Sequence, residues 1–263
     1  MLRLRILSAL VMAPPALLAT WWGGYPFAVL VAVAAAIMCW EWHKMVSKGF
    51  ALGGWVAAGL CAASSLAALA APTVAVTGIA AAALASAALA PGHGERPRLW
   101  AGLGALYCGL PAVALVWLRG DGPDGWPTML WLMLLVWGTD IGAYAAGRTI
   151  GGPLLLPKVS PKKTWAGLLG GMASAALAGL AIGWAFGAPQ PGALAVTSAI
   201  LAVVAQAGDL MESWVKRRCG VKDSSNIIPG HGGVLDRVDG LLFVALAVAA
   251  AMLVSGQPIL SWQ

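Results

Sequence analysis

Between Ser213 and Asp239 the chain carries Lys216, Arg217, Arg218, Lys222 and Arg237, the carboxylates Asp223, Asp236 and Asp239, and the turn Pro229-Gly-His-Gly-Gly233. Ammonium and guanidinium groups bind phosphate, carboxylates bind hard cations, and glycines let backbone N–H groups come close to a ligand. Apolar segments flank the stretch on both sides, so its chemistry is that of a metal and phosphate site at a membrane surface.

Other residues upstream belong to the same chemistry. Asp209, Ser213 and Lys216 fall at i, i+4 and i+7, with Glu212 at i+3, so carboxylates, hydroxyl and ammonium share one helix face. Asp140 sits in an apolar run about two turns from its end. A carboxylate there costs several kcal/mol unless paired, hydrated or bound to a cation, which marks it as functional; a structural pair with Arg148 or another helix is the bland alternative. In Ser160-Pro-Lys-Lys-Thr-Trp165, Ser160 is expected to cap a helix with Pro161 at its first position. Lys162 and Lys163 then lie in the first turn, where they oppose the helix dipole unless an anion is shared with the free N–H groups. Aspartates beside lysines and arginines, without His or Cys at metal-ligand spacing, favour Mg²⁺ over zinc. His231 stands alone and reads first as a hydrogen bonder that structures its loop.

The elements that must position these residues are hydrophobic helices. The chain is 60% hydrophobic and 10% charged, with a mean hydropathy of +0.83, outside the range of soluble domains. Apolar runs near the length needed to cross a bilayer fall at 6–22, 25–40, 51–71, 73–90, 99–118, 127–147, 165–187, 193–214 and 240–256, separated by breaks such as Gly23-Gly24, Pro91-Gly92, Gly122-Pro123 and Pro189-Gln-Pro-Gly192. The expected fold is an all-α polytopic integral membrane protein of about nine transmembrane helices, N-terminus cytoplasmic and C-terminus outside. That arrangement puts Arg3, Arg5 and every other cation inside except Arg119, in keeping with the positive-inside rule. The start, Met-Leu-Arg-Leu-Arg before an apolar run, also has the form of a signal peptide. A retained first helix, kinked at Pro14-Pro15, fits the charge of the later loops better.

A net charge of +6 and a pI near 9.4 point to anionic headgroups and topology, not to nucleic acid. Cys39, Cys61, Cys108 and Cys219 lack CxxC spacing and read as packing residues. Residues 1–125 are expected to form a scaffold whose small-residue faces suit helix packing and a homodimer, and 126–263 the catalytic region. In the first half Glu41-Trp42-His43-Lys44 is the one polar cluster noted, read as an interfacial anchor.

Residues 213–239 resemble the phosphatidate cytidylyltransferases, or CDP-diacylglycerol synthases. They match at every specified position the pattern Ser-x-apolar-Lys-Arg, four residues, Lys-Asp-x-small, two residues, apolar-(Pro/Gly)-x-His-Gly-Gly-apolar-x-Asp-Arg-apolar-Asp. The stretches Asp140 to Arg148, Ser160 to Trp165 and Gly208 to Ser213 are similar too, so the likeness covers about 137–245. Ala166 and Gly240 depart from it, where Glu and Ser are expected. The resemblance implies transfer of a cytidylyl group from CTP to phosphatidate, with membrane lipid as partner, at the cytoplasmic face of a bacterial inner membrane. It implies Asp209 and Asp236 as Mg²⁺ ligands, with Asp140, Glu212 and Asp239 at or near the metal and room for a second, monovalent cation such as K⁺. Lys162, Lys163, Lys216, Arg217, Lys222 and Arg237, with Ser213, His231, Gly232 and Gly233, are implied to hold the phosphates.

A cation- or proton-coupled transporter is the alternative from another class, with Asp140 and Asp209 as carriers. Against it, polar residues are scarce in the first five segments and the charges gather on one face.

Overall fold

The computed structural model describes residues 2–91, 96–120 and 122–261, with side chains of 2–10 and 12 excepted. Nine α-helices run through these residues: α1 Leu2–Trp22, α2 Gly24–Ser47, α3 Leu52–Ala67, α4 Pro72–Ala88, α5 Pro97–Arg119, α6 Gly125–Thr149, α7 Trp165–Ala185, α8 Pro191–Arg218 and α9 Leu235–Ser255. Each expected apolar segment became one helix. Six of them, α2 and α5 to α9, are long and apolar enough to cross a membrane, whereas α3 and α4 are shorter. The protein is an all-α polytopic integral membrane protein. Arg3 and Arg5 lie in α1 with side chains outside the described residues, as does Gly92 of the expected Pro91-Gly92 break.

Helices outrun their apolar cores where functional residues lie. α2 continues to Ser47, α8 to Arg218, and α9 begins at Leu235. Hydropathy reports where hydrocarbon solvates the chain, but backbone hydrogen bonding continues through Glu, Trp, Lys and Met, which are adequate helix formers. Asp236 and Asp239 therefore sit in the first turns of α9, and Glu41 in the last turns of α2.

One expectation fails between α6 and α7. Lys162 and Lys163 are not in a helical turn: β1 Leu154–Leu156 and β2 Ser160–Thr164 form an antiparallel hairpin, with Leu154 paired to Thr164 and Leu156 to Ser160. The helix cap is Thr164, whose Oγ1 accepts a hydrogen bond from Gly167 N at 3.0 Å. Ser160-Pro161 has the composition of a cap and first turn, but pairing with β1 holds it extended.

The chain divides into two compact units, Met1–Asp121 with Arg218–Val238, and Gly122–Arg217 with Asp239–Gln263. In the first, α2, α3, α4 and α5 pack on one another. Trp42 Nε1 donates to Trp100 O at 2.9 Å. Arg119 is buried and closes the end of α1: its Nε donates to Thr20 O at 2.6 Å and its Nη2 to Trp21 O at 2.8 Å. A guanidinium thus satisfies carbonyls that a helix C-terminus leaves without partners. Cys39, Cys61 and Cys108 are free thiols in this core.

In the second unit α6 and α7 form the closest pair, through small residues. A Cβ at Gly170 would stand 2.8 Å from Gly142 O, and one at Gly171 2.9 Å from Thr139 O. Glycines here let two backbones approach to near contact, which is how helices associate when lipid removes the hydrophobic drive between them. Trp131 Nε1 donates to Ser198 Oγ at 2.8 Å, tying α6 to α8.

Candidate functional site

Within the second unit a cavity of about 310 Å³ is walled by α6, β2, α7 and α8. Asp140 and Tyr144 reach it from α6, Lys162 and Lys163 from β2, and Asp209 from α8. The hairpin is what brings the lysines there. Lys163 Nζ lies 2.6 Å from Asp209 Oδ2, with both side chains largely withdrawn from solvent. Ser213 Oγ donates to Asp209 Oδ1 at 3.3 Å, one helical turn on, as the spacing predicts. Both oxygens of Asp209 are thereby engaged.

Asp239, from α9, interacts electrostatically with Asp209, Asp140 and Lys216. Three carboxylates from three helices thus share one electrostatic neighbourhood inside this unit. Glu212 and Lys216 form an i, i+4 ion pair at 3.1 Å, and the Glu212 side chain is fully buried. Burying such a pair is tolerable only because the charges compensate each other.

The first unit holds the loop from Arg218 to Leu235. Asp236 organises it: Oδ2 accepts from Ser224 N, Ser224 Oγ and Gly233 N, each at 2.8 Å. Ile228 and Gly232 form a bridge, and His231 N donates to Ile228 O at 2.9 Å. Gly232 has a φ of +85°, and a Cβ on it would stand 2.7 Å from Asp236 Oδ2. That position requires glycine on both counts. Lys222 and Arg237 are exposed beside this loop, and His231 partly so.

Glu41 corrects the reading of its cluster as an interfacial anchor. It is fully buried, Trp42 and His43 nearly so, and Lys44 alone of the four is exposed. Glu41 Oε1 accepts from Ser225 Oγ at 2.6 Å and Val234 N at 2.9 Å, and Oε2 from Leu235 N at 2.8 Å. A carboxylate from α2 therefore receives the free N–H groups at the start of α9, where helix polarity favours negative charge. Sequence reasoning gave this residue only an anchoring role, and passed over Ser224, Thr164 and Gln206. The one available hint at Glu41 was an acid placed on an otherwise apolar helix.

Hard oxygen donors at Asp140, Asp209 and Asp239 match a divalent cation in chemistry. Among the described residues no three His, Cys, Asp or Glu side chains converge closely enough to ligate one ion. The cation on Asp209 is the Lys163 ammonium, which shows that this carboxylate already stabilises positive charge.

The profile of the cytidylyltransferase family matches residues 3–255. A phosphatidate cytidylyltransferase of Brucella suis is 40% identical over 93% of this chain and 90% of its own. One from Pseudomonas aeruginosa is 37% identical over 96% of this chain and 97% of its own, and one from Rickettsia bellii 32% identical over 93% and 87%. Matches of this extent span both units, the N-terminal helices included, and the chain belongs to the cytidylyltransferase family.

Proposed function

We propose that this protein transfers the cytidylyl group of CTP to phosphatidate, giving CDP-diacylglycerol and pyrophosphate at the cytoplasmic face of the inner membrane. The observation that carries the reading is the cavity in which Lys162 and Lys163 meet Asp140 and Asp209 among helices of membrane-spanning length. Phosphate-binding and metal-binding groups share it, as two polyanionic substrates require. The names of the relatives agree with it, and none of those named above is a transporter.

A phosphatidate oxygen attacks the α-phosphorus of CTP, a new P–O bond forms, the bond to the β-phosphate oxygen breaks, and pyrophosphate leaves. The phosphate monoester is largely ionised at pH 7, so no general base is needed. What the reaction needs is the neutralisation of repelling charge and alignment of the two reactants. Lys162 and Lys163 supply positive charge in the cavity. Lys216, Arg217, Lys222 and Arg237, with Ser213, His231, Gly232 and Gly233, serve phosphate binding in the same proposal.

Asp209 would hold Mg²⁺ together with substrate phosphates, since that ion is commonly bound by one or two carboxylates and phosphate oxygens, while Asp140 and Asp239 add negative charge nearby. Asp236 and Glu212 also belong to the ion in the sequence reading. When bound, that ion neutralises phosphate charge and stabilises the leaving pyrophosphate. With such an ion bound, Asp209 would no longer need Lys163 as its counter-charge, and the lysine would be available to a phosphate oxygen.

The test is pyrophosphate release by the purified protein in detergent, with CTP and Mg²⁺, in the presence and absence of phosphatidate. Release that requires phosphatidate supports the reading. Release without it, or none from a folded sample, overturns it.

A further inference from the structure

We propose that Gln206 is a substrate-contacting residue of the cavity and that its carboxamide binds the hydrogen-bonding edge of the nucleotide's cytosine. This rests on the reading that the cavity receives CTP and phosphatidate. Gln206 lies on α8 three residues before Asp209, on the same face. It is only 5% exposed, yet it lines the cavity. Among the described residues no protein group makes a hydrogen bond with its carboxamide.

Its carboxamide opens onto the cavity, where water or a ligand supplies its hydrogen bonds, and a polar group in a helix of this hydrophobicity marks a functional position. The partner of Gln206 is then what enters the cavity. The side chain is neutral, so it adds no charge for phosphates, a role Lys162 and Lys163 already fill. Its chemistry is one acceptor beside two donors.

The two substrates differ in what they offer such a group. Below its phosphate, phosphatidate presents ester oxygens, which only accept; they would satisfy Nε2 and leave Oε1 without a donor. Cytosine presents an amino donor at N4 next to an acceptor at N3, which match Oε1 and Nε2 together. Carboxamides read base edges in this bidentate manner elsewhere. Gln206 lines the same cavity as Lys162 and Lys163, so a base-reading group stands in one cavity with phosphate-binding ones.

The experiment is steady-state kinetics of the full chain in detergent, varying CTP, UTP and phosphatidate separately, for wild type, Gln206→Glu and Gln206→Met. Gln206→Glu keeps shape but sets an acceptor against N3. The expected result is a rise of about 10-fold or more in KM for CTP, a KM for phosphatidate unchanged within about 2-fold of wild type, and a smaller preference for CTP over UTP, because uracil's N3–H suits a carboxylate. Gln206→Met, which removes both partners, carries the test if the Glu variant does not fold. Either folded variant with an unchanged KM for CTP, or with a rise confined to phosphatidate, overturns the assignment. Wild type that makes no lipid product from CTP would instead sink the functional reading on which this rests.

Discussion

Glu41 Oε2 accepts a hydrogen bond from Leu235 N at 2.8 Å, joining the last turns of α2 to the first residue of α9 across nearly two hundred positions of sequence. With Oε1 on Val234 N and Ser225 Oγ, this carboxylate fixes both ends of the segment that Asp236 orders from inside. The N-terminal helices are therefore tied to the Gly-rich loop by direct bonds within one unit.

Replacing Glu41 by Ala should disorder that loop. Each buried N–H left without an acceptor costs about 1–3 kcal/mol, so activity should fall by roughly 10-fold or more. Hydrogen exchange at Val234 and Leu235 should quicken while amides in α6 and α7 stay protected. Glu41→Gln, which keeps one acceptor oxygen, should retain part of both. Unchanged exchange at those two amides would remove the loop-holding role.

The ion pair between Lys163 and Asp209 makes a second expectation. Asp209→Asn removes the charge that faces Lys163 while preserving shape, and should lower kcat by about 10²-fold or more, the scale set by loss of one electrostatic contact to a reacting phosphate. Added Mg²⁺ should not restore it. Lys163→Met should raise the KM for a phosphate-bearing substrate and leave the Mg²⁺ requirement in place. Mg²⁺ titrations of both variants check this, and near-wild-type activity in Asp209→Asn would remove the metal assignment.

Close packing of α6 and α7 gives a third. Gly170→Leu forces a side chain against Gly142 O and Ala146 Cβ, and overpacking of this kind costs about 1–3 kcal/mol or more. The thermal transition in detergent should drop by several degrees, about 2–4 °C per kcal/mol for a chain of this size. Gly59→Ala, at an α3 glycine with nothing near its added carbon, should not lower the transition, because alanine is the better helix former.

Hydropathy located the nine helices of the described residues, because a run of about 20 apolar residues has few other uses. Charge in hydrocarbon nominated Asp140, helical spacing nominated Asp209, and an expected helix start nominated Lys162 and Lys163, which a hairpin presents instead. The β-hairpin escaped because strands of three and five residues show no periodicity, and Ser160-Pro161 imitates a helix start more closely than Thr164, the true cap. Glu41 escaped for a different reason. Its partners Ser225, Val234 and Leu235 are distant in sequence, and an acid between two tryptophans has the look of an interfacial residue. Gln206 was hidden in an apolar run, although its phase with Asp209 is readable once that face is known to line a cavity.

The central claim is that CTP donates its cytidylyl group to a lipid phosphate. Wild-type protein in detergent with phosphatidate and Mg²⁺ should be supplied in parallel with CTP labelled at the α- or the γ-phosphate, and lipid and aqueous phases counted. The account predicts that α-label enters the lipid phase, γ-label stays in water as pyrophosphate, and neither moves without phosphatidate. γ-Label in the lipid, or no labelled lipid from a folded sample, would contradict it.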